Sequence, residues 1–193
     1  MALPHTISMK FVPKLLSLGK KVIDLSADYR LLNSVVYEKF YKLAHQDKAN
    51  LRNAVYGLPE LNRARIKSAK LVANPGCYPT SAILGLAPLL ALGFVNTDSI
   101  IIDAKSGVSG AGKKLEQEYL FSEIDGDFRA YKVNVHQHAP EINQVLTKLS
   151  GKKIKVTFVP HLLPIERGIL STIYLKKALK VKFDVKNLVE LYK

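Results

Sequence analysis

The stretch Val72-Ala73-Asn74-Pro75-Gly76-Cys77-Tyr78-Pro79-Thr80-Ser81 joins a short apolar run to a Pro-Gly turn, a cysteine and a long apolar segment. Leu71-Val72-Ala73 reads as a buried strand that ends at the Asn74-Pro75-Gly76 turn. Thr80 to Leu92 reads as a helix, apolar on most faces and therefore buried, with Gly93 as its stop. Cys77, the sole cysteine, falls in the turn at the helix N-terminus. The positive end of a helix dipole favours a thiolate, the nucleophilic form. Elsewhere a lone cysteine is commonly a small buried hydrophobe, so the rest of the chain has to decide between the two readings.

Upstream, Met9 to Leu18 reads as a short amphipathic helix closed by Gly19, Lys21 to Leu25 as a strand, and Val35 to Ala44 as a helix. Gly57 to Asn62 looks like a turn entering a short helix. Helix and strand therefore alternate as far as Gly76, the pattern of a parallel α/β sheet. Downstream come a strand at Ser99–Ala104, a Gly/Ser loop, a helical stretch from Lys113 to Phe121 and a strand end at Tyr131–Val135. A helix then opens at Ala139 with Pro140 in its first turn, followed by strands at Ile154–Val159 and Gly168–Lys176. No Gly-x-Gly-x-x-Gly turn lies between a strand and a helix, so the α/β portion has no complete dinucleotide fingerprint.

Composition narrows the classes. A chain of 193 residues with 48% hydrophobic residues suits one domain, or one and a part, with a sizeable core. One cysteine excludes an internal disulfide and fits a reducing compartment. The most apolar stretch, Ser81 to Phe94, contains Pro88 and is too short to span a bilayer. The first residues lack a basic n-region and a long apolar core, so the reading is cytoplasmic, with no membrane partner. The net charge of +13 is spread along the chain, without the stacking aromatics of an RNA-binding sheet, and is read as a solvated lysine surface, not a nucleic-acid site.

Three further segments carry chemistry. Ser106-Gly107-Val108-Ser109-Gly110-Ala111-Gly112-Lys113-Lys114 offers many backbone N–H groups, two hydroxyls and a lysine, a composition suited to an anion. It nearly matches a P-loop, but Lys114 stands where the magnesium-binding hydroxyl belongs. His136-Gln137-His138-Ala139-Pro140-Glu141 places two imidazoles on one face of a strand end, with Glu141 at the next helix start to fix a tautomer. Its rival is a zinc site with His161 or Glu141 as third ligand. Asp24-Leu25-Ser26-Ala27-Asp28-Tyr29-Arg30 follows a strand, where open α/β sheets face their ligand crevice, and Arg30 has the fork to hold a carboxylate. Pro160 to Gly168 adds Arg167 between prolines and a loop glycine.

Taken in order, Leu25–Arg30, Tyr56-Gly57-Leu58-Pro59-Glu60, Asn74–Thr80, Asp103–Gly112, His136–Glu141 and Pro160–Pro164 resemble the motifs of N-acetyl-γ-glutamyl-phosphate reductases. The resemblance implies NADPH-dependent reductive dephosphorylation of an acyl phosphate to N-acetylglutamate semialdehyde, in arginine biosynthesis. It implies that Cys77 is the nucleophile that forms a thioester, and that the His136/His138 pair with Glu141 is the acid–base group, His138 being favoured. Ser26, Ser106, Gly107, Ser109 and Gly110 would lie by NADP(H), and Arg30 and Arg167 by the substrate's anionic groups; no metal is implied. The fold implied is α/β: residues 1–75 as the second half of a Rossmann-like cofactor domain, then residues 76–193 as an α+β catalytic domain, incomplete at its C-terminus. This second part is of the semialdehyde dehydrogenase and glyceraldehyde-3-phosphate dehydrogenase type, in a homo-oligomer, dimer or tetramer. Members of that family are longer and begin with a glycine-rich nucleotide-binding unit that has no counterpart here, so weak NADPH binding by this chain is expected. A non-catalytic fragment or subunit, and the analogous reductase of carrier-protein lysine synthesis, are the alternatives.

Overall fold

The computed structural model describes residues 1–112, 116–178 and 184–192, and the chain divides into two compact units, Met1–Gly76 and Cys77–Lys193. The first unit runs α1 (Val12–Ser17), β1 (Val22–Asp24), α2 (Ser34–Tyr41), α3 (Lys48–Asn53), β2 (Val55–Tyr56), α4 (Pro59–Ser68) and β3 (Leu71–Ala73). Its three strands form a parallel sheet in the order β1-β3-β2, with Ile23 opposite Val72 and Tyr56 opposite Ala73. Parallel strands need crossovers, and the helices supply them. Local chemistry sets the helix starts: Asn33 Oδ1 accepts from the N–H groups of Val35 and Val36, Asp47 caps α3, and Pro59 occupies the first turn of α4. The core gathers Met9, Val12, Val22, Tyr29, Leu31, Tyr37, Leu51 and Leu71. Burying each of these side chains contributes about 1.5–3 kcal/mol.

The second unit runs α5 (Cys77–Ala91), β4 (Val95–Gly107), α6 (Phe121–Ile124), β5 (Arg129–Ala130), α7 (Ala139–Ser150), β6 (Thr157–Leu163), β7 (Ile169–Lys177) and α8 (Val185–Leu191). Its sheet has the order β5-β6-β4-β7, with β4 and β6 parallel and the other pairs antiparallel. Alternation along β4 puts Ile100, Ile102, Ala104 and Ser106 on the buried face and Ile101, Asp103 and Lys105 on the other. Tyr78, Ile83 and Leu86 of α5, and Ile142 and Leu146 of α7, belong to the unit's buried residues, and the two helices pack together. This is a partial parallel α/β unit followed by an α+β unit, as the sequence implied. No helix among the described residues is long and apolar enough to cross a membrane.

Several elements differ from their sequence reading. Helix α5 begins at Cys77, three residues before Thr80, so the thiol lies within the helix's first turn. Strand β4 extends well beyond Ser99–Ala104, because pairing with β6 and β7 carries it on to Gly107. Tyr131–Val135 is a turn, not a strand end, with left-handed Lys132 and Asn134. The helix expected over Lys113–Phe121 begins on residues 113–115, which lie outside the described residues; beyond them come one 3-10 turn at Gln117–Tyr119 and the short α6.

Candidate active site

Cys77 is exposed at the first residue of α5, where the helix's N–H groups and dipole present positive potential. Its neighbour Tyr78 points into the unit and organises a polar cluster. The Tyr78 hydroxyl donates to the carbonyl of His161 at 3.2 Å and accepts from the Tyr131 hydroxyl at 3.2 Å. Its ring stands edge-on to His136 (5.7 Å between centroids), His138 (6.0 Å) and Phe158 (5.3 Å). Burial pushes the Tyr78 phenol up, and its hydrogen bonds with Tyr131 and Ser106 act the other way. Burial also pushes the Tyr131 phenol up, followed by its bond to Tyr78 and the charges of Tyr78 and Cys77. The nucleophile candidate thus shares one electrostatic neighbourhood with both phenols.

His136 and His138 come together with centroids 4.8 Å apart, but not along a strand as their spacing suggested. They sit in the turn entering α7, with His138 at its N-cap position. The backbone N–H of His138 donates to Nδ1 of His136 at 3.1 Å, which places the proton of a neutral His136 on Nε2. Burial, and secondarily the Lys132 cation, bring the His136 imidazole down to about 4. Glu141, 1% exposed, follows His138 by three residues in the first turn of α7, a spacing that puts the two on one helix face. Asp103 meets His161 Nδ1 at 3.1 Å and also pairs with Lys105, on the sheet face opposite the buried one. Among the described residues no group of three His, Cys, Asp or Glu side chains is placed to hold a metal ion.

The Gly/Ser loop differs from the anion cradle its composition suggested. The N–H groups of Gly107, Val108 and Ser109 donate to the carbonyls of Gly168, Ile165 and Glu166 at 3.0, 2.9 and 3.0 Å. Gly107 is required by close approach: a Cβ there would lie 2.7 Å from the Arg167 nitrogen and 2.8 Å from the Ile165 oxygen. Gly110 likewise leaves room for Ser106 Oγ, which a Cβ would meet at 2.5 Å. Arg167 is exposed in the turn that Gly107 abuts, whereas Lys113 and Lys114 lie outside the described residues.

In the first unit the two candidates are committed internally. Ser26 Oγ donates to Asp24 Oδ2 at 2.7 Å and accepts from the Asp28 N–H at 3.1 Å, which closes the turn after β1. Arg30 is 5% exposed; its Nε donates to the carbonyl of Asn74 and an Nη to that of Leu25, both at 2.7 Å. Both therefore brace the turn, Ser26 through its buried neighbours Asp24 and Asp28 and Arg30 through the main-chain carbonyls of Leu25 and Asn74. Sequence reasoning gave no role to Tyr78 or Tyr131; the place of Tyr78 beside the cysteine is the one signal that pointed there. A cavity of about 510 Å³ in this unit, lined by Asn50, Arg65 and Lys70 among others, holds none of the candidate residues.

Residues 77–193 match the semialdehyde dehydrogenase dimerisation domain, and residues 1–69 the semialdehyde dehydrogenase NAD-binding domain. The chain is 54% identical over 193 residues to the N-acetyl-gamma-glutamyl-phosphate reductase of Geotalea daltonii, covering all of this chain and 55% of that protein. It is 56% identical over 173 residues to the reductase of Moorella thermoacetica, 90% of this chain and 50% of that one. The chain thus spans about half the length of the curated relatives it matches. Among solved structures, aspartate semialdehyde dehydrogenase II of Vibrio cholerae matches with a TM-score of 0.70 at 16% identity, over 98% of this chain and 58% of that one. A probable aspartate-semialdehyde dehydrogenase of Pseudomonas aeruginosa gives 0.61 at 19% identity, over 96% and 56%. With a family model matched over more than half its length, the chain belongs to the semialdehyde dehydrogenase family.

Proposed function

We propose that this chain carries the acyl-transfer and proton-transfer chemistry of an NADPH-dependent N-acetyl-γ-glutamyl-phosphate reductase. The reading is carried by one observation: an exposed cysteine opens α5, while the tyrosine next to it packs against a buried histidine pair. The Cys77 sulfur forms a bond to the acyl carbon of the substrate. The carbon–oxygen bond to phosphate breaks, and phosphate leaves with the electron pair, giving a thioester. His136, held neutral by burial and with Nδ1 occupied, is poorly suited to cycle a proton near pH 7. His138, with Glu141 on the same helix face, is the group we assign to accept the thiol proton and to return one when sulfur leaves. Arg167, exposed beside the Gly107 contact, is our candidate for the substrate's anionic groups.

A nicotinamide cofactor supplies the hydride in this reaction class. The residues described here do not fit a complete cradle for it. Ser26 and the N–H groups of Gly107, Val108 and Ser109 are consumed by internal partners. Ser106, Ser109 and Gly110 are the residues we propose to lie beside the cofactor.

The test needs no hydride donor. The 193-residue chain is incubated with N-acetyl-γ-glutamyl phosphate and digested at acid pH for mass spectrometry. An acyl adduct on Cys77, absent from Cys77→Ala, is expected. Phosphate release with no adduct on Cys77 would contradict the reading.

A further inference from the structure

The turn between β5 and α7 carries both Tyr131 and His136, and its backbone is unusual. Two non-glycine residues, Lys132 (φ 45°) and Asn134 (φ 57°), adopt the left-handed conformation. Such a conformation persists only where the surroundings over-determine it, and asparagine is among the side chains that tolerate it best. Here a two-point bond to a single residue does so. The Asn134 N–H donates to the carbonyl of Phe158 at 3.0 Å, and the Phe158 N–H donates to Asn134 Oδ1 at 3.0 Å. Just upstream, the Tyr131 N–H donates to the carbonyl of Pro160 at 3.0 Å, continuing the β5–β6 pairing that ends at Ala130 and His161. Asn134 therefore stands in for a partner strand at Phe158, its side-chain oxygen taking the place of a main-chain carbonyl.

Phe158 is fully buried, and its ring is the surface on which the site rests: it meets His136 at 5.5 Å and Tyr78 at 5.3 Å. Tyr131 meets His136 at 5.6 Å. The residue that Asn134 grips is thus the one against which the His136 imidazole is packed. We propose that Asn134 is a positioning residue: its two-point bond to Phe158 sets the turn that presents Tyr131 and His136 to Tyr78. This rests on the reading of the histidine pair as the proton-transfer centre beside Cys77.

Imidazole proton resonances of the 193-residue chain, followed against pH, test it. The groups facing His136 are the Lys132 cation and the rings of Tyr78, Tyr131, His138 and Phe158. Burial brings the wild-type ring down to about 4, where its resonances are expected to shift. Asn134→Gly keeps the left-handed backbone accessible but deletes the acceptor, so the His136 midpoint should rise by about one pH unit or more as the ring gains water. Asn134→Asp keeps an acceptor oxygen for the Phe158 N–H and should retain slow exchange of that amide, which Asn134→Gly loses, while its added carboxylate itself favours the imidazolium. An unchanged midpoint in folded Asn134→Gly overturns the proposal. Should the glycine variant fail to fold, amide exchange of Phe158 in the wild type decides: protection supports the bond to Asn134 Oδ1, and exchange at the rate of an open amide overturns it. Iodoacetamide labelling of Cys77 in the wild type and in His138→Ala separates the two levels. A moved His136 midpoint in Asn134→Gly, together with a Cys77 labelling profile that does not respond to His138→Ala, would leave the grip intact and defeat the proton-transfer reading beneath it.

Discussion

Replacing Gly107 by alanine should destabilise the second unit although nothing about its backbone forbids a side chain. Gly107 has φ −66° and ψ 162°, a conformation open to any residue. On conformational grounds alone the alanine would stabilise the protein by about 0.4–1 kcal/mol, through a less flexible unfolded chain. The obstacle is steric. The added Cβ would lie 2.7 Å from the Arg167 nitrogen, 2.8 Å from the Glu166 carbon and 2.8 Å from the Ile165 oxygen, all main-chain atoms with little room to yield. Overpacking of this kind costs about 1–3 kcal/mol. Moving the 165–168 turn away also weakens the bonds from Gly107, Val108 and Ser109 to that turn, each contributing about 1 kcal/mol. The net expectation is a loss of about 3 kcal/mol. With a urea slope of about 2 kcal/mol per molar, that lowers the midpoint by about 1.5 M. Urea denaturation followed by circular dichroism reads the global effect, and faster amide exchange at Val108 and Ser109 reads the local one. An unchanged or raised midpoint would refute the argument that close approach, and not ligand binding, explains this glycine.

Two further predictions concern buried polar groups. Tyr37→Phe removes the 2.7 Å bond from the Tyr37 hydroxyl to Asp28 Oδ1, where Asp28 is fully buried; the loss should be about 1–3 kcal/mol by denaturant titration, and a neutral result would show that the network is dispensable. Burial brings folded His136 down to about 4, against 6.5 for an unperturbed histidine, so the folded state should bind fewer protons in that window. Its contribution is therefore complete above pH 6.5 and is lost as pH falls toward about 4, amounting to about 3 kcal/mol in all. His136→Gln should flatten the stability slope over that range, and an identical slope in variant and wild type would contradict the assignment.

What the sequence revealed, and what it hid, follows from where each residue's partners lie. Leu71–Ala73 as a strand and Ala139 as a helix start were legible because Asn74-Pro75-Gly76 and Pro140 act on their own neighbours. The alternating helix and strand before Gly76 likewise announced a parallel sheet. The Gly/Ser loop misled because the partners of its N–H groups, Ile165 to Gly168, are distant in sequence. Tyr131–Val135 alternates like a strand and does run beside β6, yet Asn134 spends its side chain where a strand would use its backbone. Ser26 and Arg30 looked like ligand groups because a strand end is where ligands bind, but buried Asp24, Asp28 and the carbonyls of Leu25 and Asn74 claim them. Of the proposed site, Cys77 and the pairing of the histidines were visible in the chain, while the tyrosines that surround them appear only once α5 and the 131–136 turn are placed.

Whether Cys77 is an activated nucleophile served by His138 is read most directly from the rate of Cys77 alkylation by iodoacetamide from pH 5 to pH 10, in the wild type and in His138→Ala. A titration well below the ordinary thiol value of about 8.5 that moves up in the variant is expected. A midpoint near 8.5 that does not respond to His138→Ala would contradict it.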